Sequence, residues 1–168
     1  KIGGKAVTFE VMSEDDQADP KTATIVAQRM IDEGIVGVVG HLNSGATIPA
    51  SKVYFDNAIP QVSPSATAIK YTAQNFNTAY RVMTNDEQQG KVLGAYAARV
   101  GKKVAIIDDQ TAYGQGLAKE EKKAAKAAGA EVVAVEHTTD KASDFSAILT
   151  SIKSKNPDVV FFGGMDPQ

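Results

Sequence analysis

Two segments of this sequence concentrate hydroxyl and small side chains directly ahead of helical patterns: Gly40-His41-Leu42-Asn43-Ser44-Gly45-Ala46 and Ser63-Pro64-Ser65-Ala66-Thr67-Ala68. Ser44, Thr47, Ser63, Ser65 and Thr67 supply O–H donors there. A helix start adds backbone N–H groups that the helix itself leaves unpaired. With the partial positive charge of a helix N-terminus, such groups bind a carboxylate without any Lys or Arg. The same residues also make ordinary helix caps, and spacing alone does not separate the two roles. A third segment, Asp108-Asp109-Gln110-Thr111-Ala112-Tyr113, sets paired carboxylates at the end of an apolar run. Such pairs hold Mg²⁺ in phosphoryl-transfer sites, where substrate phosphates complete the shell. The plainer reading makes Asp109 a local cap and turns Asp108 to solvent. Tyr113 is placed to offer a ligand an aromatic wall.

Other chemistries are excluded by what the sequence lacks. It has no cysteine, which rules out disulfide scaffolds, thiolate zinc sites, iron–sulfur clusters and cysteine nucleophiles. Gly114-Gln115-Gly116 has Lys119 where a dinucleotide fingerprint needs its third glycine. No phosphate loop ending in Gly-Lys-Ser/Thr occurs. Leu42 stands where a serine-hydrolase elbow needs glycine. His41 and His137 lie far apart without metal spacing. His41 is expected to make a local hydrogen bond at its strand end, and Glu14-Asp15-Asp16 to be a solvated loop.

These loops must be held by a scaffold, and the remaining sequence indicates which. Eighteen basic and twenty acidic side chains in 168 residues leave a net charge of −2, too near zero for a nucleic-acid binder that neutralises phosphates. Hydrophobic residues at 43% and charged residues at 23% are ordinary for a globular chain. No apolar run approaches the ~20 residues of a membrane helix, so direct membrane insertion is not expected. Strands are expected over Ala6–Met12, Ile35–Val39, Pro60–Ser63, Thr78–Met83, Lys103–Asp108, Glu131–Glu136 and Val159–Phe162. The run at 35–39 is apolar throughout and reads as buried on both faces. Helices are expected from Asp19-Pro20 to Gly34, Ser44 to Asn57, Asn85-Asp86 to Gly101, Gly114 to Ala128 and Ser143 to Lys155. Strands alternating with helices of this length imply parallel sheets covered on both faces. A hinge is expected at Thr84-Asn85-Asp86, where a fresh β–α–β succession begins. Ligands of such sheets sit at strand carboxyl ends, here the three segments above and Gly163–Asp166.

With the strand-end motifs in place, the sequence resembles the periplasmic amino-acid-binding proteins of branched-chain amino-acid ABC transporters, the leucine/isoleucine/valine-binding family. The resemblance rests on Gly40–Gly45 and Ser63–Thr67. It extends through Asp15-Asp16…Asp19-Pro20, Tyr80-Arg81…Asp86-Glu87-Gln88-Gln89-Gly90 and Asp108-Asp109…Tyr113-Gly114-Gln115-Gly116-Leu117-Ala118. Phe145–Leu149 and Phe162–Asp166 continue it almost to the end of the chain.

The resemblance implies a two-lobed type I periplasmic-binding fold, α/β with doubly wound parallel sheets. Residues 1–84 would belong to the amino-terminal lobe and 85–168 to the second. It implies that Ser44 and Thr67 hold a ligand α-carboxylate, with Asn43 and Ala66 lining the site. The Ser65 carbonyl and the Thr67 hydroxyl would accept from the α-ammonium group. Tyr113 would face the cleft from the second lobe, and Met165 stands where several members carry an aromatic residue. The implied partners are a free amino acid and membrane permease subunits, with no nucleic acid and no cofactor. The implied location is the periplasm, after export. The family's first strand and helix have no counterpart before Lys1, and its acidic ammonium partner would fall beyond Gln168. Both lobes are therefore expected to be incomplete, as in an internal piece of such a protein. Two alternatives stand beside this: a flytrap-type sensor or binder of amides, urea or aromatic acids, and a Mg²⁺-dependent phosphoryl-transfer or receiver domain using Asp108 and Asp109.

Overall fold

The computed structural model describes residues 1–165. Asp166, which the sequence groups with the last loop, and the expected end of the second lobe at 168 lie outside the described residues. The elements run α1 (Pro20–Asp32), β1 (Val38–Val39), α2 (Ser44–Asp56), β2 (Gln61–Ser63), α3 (Ile69–Ala73), β3 (Ala79–Arg81) and α4 (Asp86–Val100). They continue with β4 (Lys103–Asp108), α5 (Ala112–Ala127), β5 (Glu131–His137), α6 (Ser146–Lys153) and β6 (Val159–Gly163). They form two separate three-stranded sheets, ordered β1-β2-β3 and β5-β4-β6. Every strand pair is parallel.

In the second sheet, β4 is central and apolar on both faces. Val104 and Ile106 pack under Ala97 and Ala98 of α4 and Ala118 and Ala125 of α5. Ala105 and Ile107 face the other way, against Ile148 and Ile152 of α6. The chain thus leaves β4 over one face to reach β5 and returns over the opposite face to β6. That is the doubly wound pattern, and it opens a crevice at the carboxyl ends of β4 and β6. Helices α4 and α5 cross at glycines. A Cβ at Gly94 would lie 2.6 Å from the Ala124 Cβ, the Ala125 N and the Glu121 O.

The first sheet is smaller. Ala23 and Ala27 of α1 and Ala46, Ala50 and Tyr54 of α2 pack with Val38. Asp19 caps α1, its carboxylate accepting from the Thr22 N–H and hydroxyl at 2.6 and 2.8 Å. Pro20 is the first helical residue, and Gly34 follows the helix with φ +83°. These are the start and stop signals the sequence presents.

Several expectations are overturned. Residues 6–12 form no strand: Phe9 and Val11 are 77% and 89% exposed, and among the described residues no strand pairs with them. The expected strand at 35–39 shrinks to two residues. Val36, which lies before the strand, and Val39 within it are each 86% exposed, and β1 is the edge of its sheet with β2 as its neighbour. Helix α5 starts two residues earlier than expected, because Thr111 rather than a later residue caps it. Helix α6 starts three residues later, where the Asp144 carboxylate takes the Ser146 N–H. The short helix α3 follows the second hydroxyl loop, where a helix start but no helix range is expected from sequence.

Candidate functional site

The site begins with the five hydroxyls of the first two strand-end loops, which divide by their partners. Thr47 turns inward and donates to the His41 and Asn43 carbonyls at 3.1 and 2.9 Å. Ser63 donates to the His41 carbonyl at 2.7 Å and accepts from the Ala66 N–H at 2.9 Å. Both hold the loops together. Ser44, Ser65 and Thr67 are left to face a common cleft.

Ser44 does not cap its own helix. Asn43 takes the cap position with extended backbone and no side-chain cap bond. The Ser44 Oγ instead accepts from the Ala68 N–H at 3.2 Å, across to the second loop. With a lone pair so used, its proton is free to donate outward. The α-helical ladder leaves the Ser44 and Gly45 N–H groups over at this start, beside that hydroxyl. Around Thr67, the Arg81 guanidinium donates to the Ala66 and Ala68 carbonyls at 2.9 and 3.0 Å and to the Thr72 hydroxyl at 2.8 Å. It therefore clamps the backbone on either side of Thr67. Ala66 is fully buried beneath this loop and does not line the cleft.

The opposite wall is organised by Asp109. One carboxylate oxygen accepts from the Thr111 N–H and hydroxyl at 2.9 and 2.7 Å, the other from the Met165 N–H at 3.0 Å. This joins the end of β4 to the end of β6 and sets Tyr113 beside Met165. Gly114 is required for it: a Cβ there would sit 2.1 Å from the Asp109 Oδ1 and 2.4 Å from the Gly163 O. Asp108 is also committed, accepting from the Gln110 N–H at 3.0 Å and pairing with His137 Nδ1 at 2.7 Å. It is 4% exposed, not turned to solvent as expected. Among the described residues no three acidic or imidazole groups come together as a metal site.

Asn43, Ser44, Ser65, Thr67, Tyr113 and Met165 line one cleft of ≈ 460 Å³ between the two sheets. Leu42 and Gln89 complete it, and both were missed as site residues from sequence. Gln89 Nε2 donates to the Tyr113 hydroxyl at 3.4 Å. Its place in the first turn of the helix after the expected hinge is the signal that could have found it. Asn43 Nδ2 meets the Met165 sulfur across the cleft. A second hollow of ≈ 350 Å³ shares Asn43, Ser44, Tyr113 and Met165 and extends toward Ala18 and Thr139. Among the described residues no charged side chain lines the first cleft; what they offer a ligand charge is hydroxyls, carbonyls and helix-end N–H groups.

Behind the first loop, His41 does more than the expected local bond. Its Nδ1 pairs with Asp16 at 2.5 Å and its Nε2 with the Tyr54 hydroxyl at 3.1 Å. Burial, helped by the Asp16 charge, pushes the Tyr54 hydroxyl up to about 12. Glu14 pairs with Arg29 at 2.9 Å. Glu14 and Asp15 are exposed, as expected of a solvated loop, while Asp16 is partly buried and braces the first loop through His41. Among the described residues no helix is long and apolar enough to cross a membrane.

This geometry agrees with comparisons to known proteins. The family model for periplasmic binding proteins matches residues 1–168. The Leu/Ile/Val-binding protein homolog 1 of Brucella abortus (strain 2308) is 42% identical over 169 residues, 99% of this chain and 45% of the relative. The branched-chain amino acid transporter substrate-binding protein LivJ of Streptococcus pneumoniae, solved with isoleucine, superposes with a TM-score of 0.82 at 28% identity. That match covers 91% of this chain and 44% of the other. A solute-binding protein of an ABC transporter from R. palustris, solved with benzoate, gives a TM-score of 0.85 at 26% identity, over 96% and 45% of the two chains. The chain spans about half the length of the curated relatives it matches and has the α/β parallel-sheet architecture of the type I binding fold. It belongs to the periplasmic binding protein family.

Proposed function

We propose that the protein containing this chain is the solute-binding subunit of an ABC transporter, which captures a free branched-chain amino acid and delivers it to a membrane permease. On this reading it works in the periplasm after export, catalyses nothing, and closes two lobes divided near residue 84. The observation that carries the reading is the hydroxyl-lined cleft in which Ser44, Ser65 and Thr67 face Tyr113 and Met165. The Ser44 hydroxyl, with Ala68 already donating to it, donates to the ligand carboxylate, together with the N–H groups at the start of α2. The helix-end partial charge adds to this, typically by about 0.3–1 kcal/mol or more where partly buried. The Ser65 carbonyl and Thr67 hydroxyl accept from the ammonium group. Leu42, Tyr113 and Met165 enclose the side chain.

The isoleucine and benzoate complexes of the two structural neighbours set the choice to be tested. A thermal-shift panel of the twenty amino acids and benzoate on the whole protein distinguishes them. Free ligand at 100 times its Kd stabilises by about 2.7 kcal/mol. Leucine, isoleucine or valine should give the largest shifts. A shift with benzoate and none with any amino acid would replace this reading by an aromatic-acid binder.

A further inference from the structure

A buried carboxylate without a hydrogen-bond partner among the described residues sits beside a residue of the cleft wall. Asp86, the first residue of α4, is fully buried. Neither of its carboxylate oxygens has a hydrogen-bond partner among the described residues. The same is true of the Thr67 hydroxyl oxygen, which is itself buried. The two residues are tied by backbone, the Asp86 N–H donating to the Thr67 carbonyl at 2.9 Å. The Thr67 hydroxyl lies close enough to draw the Asp86 carboxyl down, against the burial that pushes it up. Arg81 also acts on Asp86, but three of its five N–H groups donate to the Ala66 and Ala68 carbonyls and to Thr72, and none is hydrogen-bonded to Asp86. Glu120 adds only further negative charge. From α5, the Gly116 Cβ position would lie 3.3 Å from Asp86 Oδ2, so the carboxylate is walled in on that side.

A buried carboxylate without a hydrogen-bonded cation is costly, and the residue its backbone is tied to, Thr67, lines the cleft. We propose that Asp86 is a positioning residue that makes the site select ligands bearing an ammonium group. It draws the Thr67 O–H proton toward itself, so that the lone pairs of that oxygen face the cleft as acceptors. Its negative charge, one side chain behind the wall, favours a cation at that point and disfavours a ligand that is only an anion. The proposal rests on the function proposed above and adds to it the residue that separates amino acids from plain carboxylic acids.

Calorimetry on the whole protein with two probes tests it: L-leucine, and isocaproate, which has the leucine side chain and carboxylate but no amino group. The unsubstituted protein should prefer leucine. Asp86→Asn should weaken leucine at least about ten-fold while leaving isocaproate unchanged or tighter. A merely structural role would weaken both probes alike, and that result would overturn the proposal. If Asp86→Asn fails to fold, the hydroxyl decides: Thr67→Ser should keep the preference for leucine and Thr67→Val should lose it. Preference retained in Thr67→Val would overturn the proposal. Failure of the unsubstituted protein to bind leucine at all would overturn the functional reading and this proposal with it, whereas equal losses for both probes overturn this proposal alone.

Discussion

The Ser44 hydroxyl oxygen accepts from the Ala68 N–H at 3.2 Å, and this one bond joins the start of α2 to the loop that follows β2. Both residues are buried, so the bond fixes the separation of the two loops that form one wall of the cleft. It also fixes which atom of Ser44 is left for a ligand. With one of its two lone pairs engaged, the hydroxyl keeps its proton to donate, which suits a carboxylate.

Ser44→Ala should therefore have two effects. The buried Ala68 N–H loses its partner, at a stability cost of about 1–3 kcal/mol. Ligand affinity should fall about ten- to a hundred-fold, the usual loss for a hydrogen bond to a charged group. Chemical denaturation reads the first and calorimetry with leucine the second. Stability loss with unchanged affinity would reduce Ser44 to a loop tie.

Asp109→Asn puts an NH₂ group against either the Thr111 donors or the Met165 N–H, since both carboxylate oxygens accept. A donor facing a donor should cost about 1–3 kcal/mol in unfolding experiments. The melting temperature of the unsubstituted protein should not respond to Mg²⁺. A stabilisation by Mg²⁺ that Asp109→Asn abolishes would revive a metal role for the pair.

Glu121 is fully buried on α5 with no hydrogen-bond partner for either oxygen among the described residues, and burial pushes its carboxyl up to about 7. An unfolded chain releases that proton near 4.5. Between those values the unfolded state loses its proton while the folded state keeps it, so stability falls as pH rises from about 4.5 to about 7. Above 7 the full penalty, on the order of 3 kcal/mol, is in place. Glu121→Leu should remove most of that slope, raising stability at pH 8 and changing it little at pH 4. Parallel pH profiles for the two proteins would show that Glu121 is not the group responsible.

Gly94→Ala tests the α4–α5 crossing. Alanine gains up to about 1 kcal/mol over glycine in helix propensity. The added Cβ, however, would lie 2.6 Å from backbone atoms of α5, and overpacking of this kind costs about 1–3 kcal/mol. A net loss in unfolding free energy is expected. A net gain would mean that the helices separate without cost.

What the sequence made legible follows from how local each signal is. Asp19, Pro20 and Gly34 punctuate α1 through contacts within a few residues, and the helix lies where they put it. Strand β4 matches its expected range of 103–108 because an apolar strand flanked by two helices is apolar on both faces. Residues 6–12 alternate as a strand should, yet a strand exists only by pairing, and pairing is not written in the seven residues themselves. The same holds for Val39, exposed on the edge strand β1, and for Val36, which lies outside any strand. At the site, the strand-end loops were legible from their hydroxyls. The split between Thr47 and Ser63, which face inward, and Ser44, Ser65 and Thr67, which face the cleft, was not. It depends on carbonyl positions of residues that are distant in the chain, such as His41 for Ser63. Asp86 looked like a helix-start residue, and only burial shows it lying behind Thr67.

The most direct test is a crystal structure of the whole protein grown with L-leucine. The account predicts the ligand carboxylate within hydrogen-bonding distance of the Ser44 hydroxyl and the first N–H groups of α2. It predicts the ammonium group at the Ser65 carbonyl and Thr67 hydroxyl, and the side chain against Tyr113 and Met165. Leucine bound elsewhere, or turned so that its ammonium group meets Ser44, would contradict it.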